Sequence, residues 1–280
     1  MDKDNDGQHG ASASARRRNN VHVAGAGERT IVFAHGYGCD QSVWRWVAPA
    51  FEPDHRVVTF DHVGAGASDL SAYDPVRHAT LEGYADDLLA ICAEMALSGI
   101  VYVGHSVSAM IGVLAAIRAP EVFERLVLVG PSPCYLNDGD YAGGFAQRDL
   151  DELLDLMDSN FVHWSATMAP VIMNAPDRTE LAEELAGNLC RLDPAVARQF
   201  ARVTFLSDHR ADLGLLRRPS LILQCRDDAI APLAVGDYMR RHMAGSTLRR
   251  MAAAGHCPHM SAPAETIAAV RAYLEMAPYA

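Results

Sequence analysis

Basic charge is scarce in this chain. Lys and Arg number 24 against 35 Asp and Glu, a formal net charge of −11. An acidic surface repels phosphate backbones, and no basic stripe with interleaved aromatics offsets it, which argues against nucleic acid as a partner. No apolar run approaches the roughly 20 residues that a membrane helix needs, so no membrane role is expected. The opening stretch, MDKDNDGQHGASASARRRNN, lacks the apolar segment of a secretory signal. Despite Arg16, Arg17 and Arg18, residues 1–19 read as a solvated, disordered leader. Disulfide and zinc patterns are missing too. Cys39, Cys92, Cys134, Cys190, Cys225 and Cys257 form no Cys-x-x-Cys pair. An even cysteine count implies a disulfide framework only in a small secreted chain, so reduced thiols and a cytoplasmic location are expected.

What is present is a large apolar fraction. Half of the 280 residues are hydrophobic, enough for one large α/β domain with an inserted subdomain. Apolar runs alternate with helical patterns, the signature of a mostly parallel sheet flanked by helices. Strands are expected at Val21–Ala24, Thr30–Ala34, Arg56–Phe60, Ile100–Val103, Arg125–Val129, Ser220–Cys225 and Thr247–Met251. Helices are expected at Leu81–Leu97, from Ser108 to about Arg118, at Leu233–His242 and from Ala264 to Met276.

The pattern changes between Cys134 and Leu206, where no strand is convincing. Leu150, Leu153, Leu154 and Met157 mark one amphipathic helix face, and Trp164, Met168, Val171 and Ile172 a second. Asp177 and Glu180 read as a capping box for a third helix carrying Leu181, Leu185 and Leu189. Asp193-Pro194 opens a fourth. The expected organisation is therefore a core of residues 20–133 and 207–280 with a helical lid at 134–206.

Three motifs carry chemistry. Gly104-His105-Ser106-Val107-Ser108 lies between a strand and a helix, a turn that lifts a serine hydroxyl above the sheet edge. The usual pattern ends in glycine where this chain has Ser108. Asp227 and Asp228 follow the strand ending at Cys225, and the spacing from Asp228 to Pro232 favours Asp228 as the acid of a triad. His256 follows the last strand, in Gly255-His256-Cys257-Pro258-His259. Metal ligation by His256, Cys257 and His259 has no partner cluster at zinc spacing to complete it, and His259 reads as structural. The order Ser106, Asp228, His256 fits nucleophile, acid and base of an α/β-hydrolase. The backbone N–H of Val107 and that of Tyr37, in His35-Gly36-Tyr37-Gly38, are the expected oxyanion donors. Asp61-x-x-Gly64-x-Gly66-x-Ser68 lacks the context of a nucleotide loop, and neither cofactor nor metal is expected.

His35 to Trp44, Gly104 to Ser108 and Gly255 to Ser261 resemble the RsbQ-type α/β-hydrolases, bacterial stress-signalling proteins related to the plant strigolactone and karrikin receptors. Gly130 to Asn137 and Phe205 to Arg210 share the likeness, which runs from about Asn20 onward. The resemblance implies a four-helix lid over an apolar pocket with the triad at its floor. It supports Ser106, Asp228, His256, Tyr37 and Val107 by motif position. His105, Trp164, Met168 and Val171 are the candidate pocket residues. Two activities follow as expectations: hydrolysis of a small hydrophobic ester or lactone, or ligand-dependent regulation of a partner protein.

Overall fold

A computed structural model describes residues 14–276. The sheet is built from β1 (His22–Ala24), β2 (Arg29–Ala34), β3 (His55–Phe60), β4 (Ile100–His105), β5 (Phe123–Val129), β6 (Ser220–Gln224) and β7 (Ser246–Arg250). Its order is β1-β3-β2-β4-β5-β6-β7. Only β1 runs antiparallel to its neighbour; the other pairs are parallel.

Alternate residues of the central strands enter opposite halves of the core. Ile31 and Phe33 of β2 join one cluster, Val32 and Ala34 the other; β4 separates Val101 and Val103 from Ile100 and Tyr102 in the same way. Strands covered on both faces are apolar throughout, which is why they read as unbroken runs in the sequence. The helices are α1 (Ala15–Arg18), α2 (Leu81–Glu94), α3 (Val107–Arg118), α4 (Gln147–Ser159), α5 (Phe161–Met173), α6 (Thr179–Cys190), α7 (Pro194–Leu206), α8 (Leu233–His242), α9 (Pro258–Ser261) and α10 (Pro263–Leu274). Among the described residues no helix is long and apolar enough to cross a membrane.

Strand order positions the site. From β2 the chain crosses to β3 on one side, then returns past β2 to β4 on the other. The loops after β2 and β4 thus diverge at a switch point, and a crevice opens at their C-terminal ends. Helices α4 to α7, inserted between β5 and β6, roof it. Leu150 and Leu154 of α4, Trp164 and Met173 of α5, Leu185 and Leu189 of α6 and Phe205 of α7 share a core cluster with Trp44, Tyr135 and Cys257 beneath. Of the caps read from the sequence, Asp193 is present: its side chain accepts from the N–H groups of Ala195 and Val196, with Pro194 in the first turn.

Two local readings differ from the structure. The helix carrying Leu181 starts at Thr179, with Arg178 at its cap and no side-chain capping bond. Asp177 is held instead in a turn closed by the Arg178 N–H to the Ala175 carbonyl (2.9 Å), while the Arg178 guanidinium reaches the Ser261 carbonyl. The N-terminal segment is ordered from Ser14, rather than solvated up to residue 19. Arg18 pairs with buried Asp87 at 2.9 Å, and fully buried Asn19 exchanges hydrogen bonds with the backbone of Asp61. These partners lie dozens of residues away, beyond what local composition registers. Residues 1–13 of the expected leader lie outside the described residues.

Candidate active site

β4 ends at His105 and α3 begins at Val107, so Ser106 alone makes the turn. Its backbone adopts φ 56°, ψ −122°, a conformation strained for an L-residue that lifts the side chain off the sheet edge. The loop after β2 passes close by. A Cβ on Gly36 would stand 2.5 Å from Nδ1 of His105 and 3.2 Å from Cβ of Ser106, so only glycine permits that approach.

The two aspartates after β6 take different places. Asp227 is exposed and pairs with Arg226 at 2.9 Å. The Asp228 side chain is fully buried. One carboxylate oxygen accepts from the N–H groups of Ile230 (2.8 Å) and Ala231 (3.0 Å), and the other lies 2.8 Å from Nδ1 of His256. Nε2 of His256 lies 2.7 Å from Oγ of Ser106. With a proton on Nδ1 donated to Asp228, Nε2 carries a lone pair directed at the serine hydroxyl. The chain from carboxylate to imidazole to hydroxyl is thus continuous, although its members are 28 and 150 residues apart.

The N–H groups of Tyr37 and Val107 have no acceptor among the described residues. Val107 opens α3, so its N–H is one of the unpaired donors of that helix and adds the positive end of the helix dipole. Behind His256 stand two further imidazoles. His105 Nε2 donates to the His256 carbonyl (2.8 Å). His259 packs between His105 and Trp44 in tilted contacts, with ring centroids 4.4 and 4.5 Å away. Burial pushes His259 down to about 3 and His105 well below the usual histidine range. Both are therefore uncharged packing partners at neutral pH.

Above Ser106 lies a cavity of about 30 Å³, lined by Tyr37, Tyr135, Trp164, Leu189, Phe205 and Ile230 among others. Burial pushes the Tyr135 hydroxyl, which faces Ser106, up to about 12. Of the pocket residues read from the sequence, His105 and Trp164 line the cavity. Met168 packs into the core cluster beside it. Val171 is a correction: it is 45% exposed, and Ile172 lines the cavity instead. The buried arc of α5 is centred near Ser165 and Ala169, and Val171 lies about 140° of helical rotation from that centre. Tyr135 and Phe205 were missed as lining residues. Tyr135 had one available signal, its position shortly after β5, where loops at strand C-termini gather around the site.

The Alpha/beta hydrolase family matches residues 31–270. A probable esterase from Oryza sativa subsp. japonica is 44% identical over 246 residues, covering 87% of this chain and 91% of the relative. Karrikin insensitive 2 receptor CA from Petunia hybrida is 42% identical over 245 residues, with the same coverage. The structure of a hydrolase from Oleispira antarctica superposes with a TM-score of 0.92 at 39% identity, over 94% of this chain and 97% of that one.

Proposed function

The chain belongs to the alpha/beta hydrolase family and is carboxylic-ester hydrolase-like, and we propose that it cleaves a small hydrophobic ester or lactone with Ser106 as nucleophile, His256 as general base and Asp228 as the acid that orients the imidazole. The observation that carries this reading is the pair of contacts at 2.7 and 2.8 Å linking the three side chains. His256 takes the Ser106 proton as the hydroxyl oxygen attacks the carbonyl carbon. Negative charge moves to the carbonyl oxygen, where the N–H groups of Tyr37 and Val107 receive it. The C–O bond to the leaving alkoxide breaks, His256 returns the proton to it, and an acyl-Ser106 remains. Water activated by His256 then releases the acid.

The side chains around the cavity over Ser106 are mostly apolar and aromatic, which suits a small hydrophobic substrate. About 30 Å³ is far below the roughly 300–1,000 Å³ of a small-molecule site, so an ester enters only as α5 to α7 give way. The reading places the protein in the cytoplasm, where its six unpaired thiols stay reduced. The test is hydrolysis of p-nitrophenyl acetate and of a butenolide lactone by wild type and Ser106→Ala. The variant should lose activity by a factor on the order of 10⁶ where the triad acts as a unit. Equal rates overturn the reading.

A second reading is a ligand-operated signalling protein that turns over slowly and regulates a partner protein. The nearly closed cavity favours it, as does the likeness to a plant receptor. Capture of a protein partner that depends on ligand and on Ser106 supports it; capture indifferent to both counts against it.

A further inference from the structure

Ser108 departs from the glycine usual at its place, and the departure is buried. Its side chain is fully covered in the first turn of α3. Oγ lies 2.5 Å from the carbonyl oxygen of His35 and 2.6 Å from Nε2 of His62. A carbonyl only accepts, so the single hydroxyl proton goes to His35, and His62 must donate its Nε2–H to Oγ. Nδ1 of His62 is then bare, and it has no partner among the described residues. The backbone N–H of His62 donates to Nε2 of His35 (3.1 Å), which puts the proton of His35 on Nδ1, 2.9 Å from the Gly36 carbonyl. Every proton in the network has one consistent place, and both rings are neutral.

The network ends on the two segments that carry the oxyanion donors. His35 and Gly36 lead directly into Tyr37, and Val107 directly precedes Ser108. These N–H groups come from different loops and act together only if both aim at one point. Steric contact at Gly36 limits how near the loops come; it does not hold them together. A hydroxyl on residue 108 does, and a glycine there has no atom with which to do so.

We propose that Ser108, supported by His62, is a positioning residue of the oxyanion hole, its hydroxyl tying the His35–Tyr37 segment to the start of α3. This rests on the hydrolase reading with Tyr37 and Val107 as donors. Losing one donor outright costs about 10²–10³ in kcat. Loosening the tie misplaces a donor without removing it, so the expected loss is smaller, about 10- to 100-fold, in line with the cost of a misplacement of about 1 Å.

The experiment compares wild type, Ser108→Ala, Ser108→Thr and His62→Phe with p-nitrophenyl acetate and with an aryl trifluoromethyl ketone, whose hemiketal with Ser106 mimics the oxyanion. Ser108→Ala should lower kcat by that factor with KM within about twofold. Trifluoromethyl ketone affinity should fall in parallel with kcat/KM, since transition-state mimicry tracks that ratio. Ser108→Thr, which keeps the hydroxyl, should recover most of the loss. Should Ser108→Ala fail to fold, His62→Phe reads the same network through kcat and ketone affinity. An unchanged kcat and ketone affinity in the folded variants, even with a lowered melting temperature, overturns the proposal. A wild type that releases no p-nitrophenol and forms no ketone adduct overturns the hydrolase reading instead.

Discussion

The backbone N–H of His256 donates to the carbonyl of Ile172 at 2.7 Å. Ile172 lies in the last turn of α5, and the residue four places on, Pro176, has no N–H to offer that carbonyl. The loop bearing the imidazole therefore serves as the cap of a roof helix. Asn174, in the left-handed conformation at φ 42°, adds a side-chain bond to the Asp227 carbonyl. Roof and triad loops are joined through the backbone, so displacing the end of α5 displaces His256.

Gly255→Ala tests that joint. Gly255 sits at φ +79°, and a Cβ there would stand 2.0 Å from the Met173 carbonyl oxygen. The left-handed backbone alone costs about 1–2 kcal/mol for an alanine. The clash adds to this by pushing α5 and the His256 loop apart. A lowered melting temperature together with at least a tenfold fall in kcat is expected, by thermal unfolding and ester hydrolysis. A variant destabilised yet fully active would refute the mechanical link.

Asp228→Asn and Asp227→Asn should separate cleanly. The first leaves the geometry in place but removes the charge that fixes the His256 tautomer, a change worth about 10⁴ in kcat in comparable triads. The second touches an exposed pair with Arg226, and such pairs contribute about 0–1 kcal/mol. Steady-state kinetics on the two purified variants checks the contrast; comparable losses would reassign the acid.

Acid sensitivity should come from the histidines behind the site. Burial lowers His35, His62, His105 and His259 from the ordinary 6.5, His259 to about 3. The unfolded chain binds protons on these rings at a higher pH than the native one. The stability they contribute is thus fully present above about pH 6.5 and lost progressively as pH falls toward 3. His259→Phe keeps a ring against Trp44 and removes one such group. Its unfolding midpoint should decline less steeply than that of wild type across this range in urea titrations, and an identical slope would exclude His259 as a contributor.

Ile172→Ala and Val171→Ala, adjacent in sequence, should behave oppositely. Ile172 lines the cavity over Ser106 and Val171 is 45% exposed. Truncating Ile172 enlarges the cavity, so bulkier acyl esters should gain in kcat/KM relative to acetate. Val171→Ala should change stability by no more than about 0.5 kcal/mol, as exposed substitutions do, and leave the acyl-chain preference alone. A shift in preference with Val171→Ala would move the cavity wall.

Much of the architecture is written locally. The central strands show as apolar runs because they are buried on both faces, and the Asp193-Pro194 cap is readable because a cap involves three or four consecutive residues. Ser106, Asp228 and His256 stand out for the same reason: each lies in a short motif that follows a strand. Other features arise only when distant segments meet. The arc of α5 that turns inward depends on what α6 and the His256 loop present to it, so periodicity found the helix but not the side on which Val171 falls. The order of residues 14–19 depends on Asp87 and Asp61, and the hydroxyl of Ser108 acquires meaning only beside His35 and His62, 73 and 46 residues away. The chain by itself determined which segments form strands and helices and which side chains carry reactive groups, because those follow from propensity and spacing along the backbone. Tertiary structure alone decided which of those groups touch, because hydrogen bonds and burial are set by distance in space.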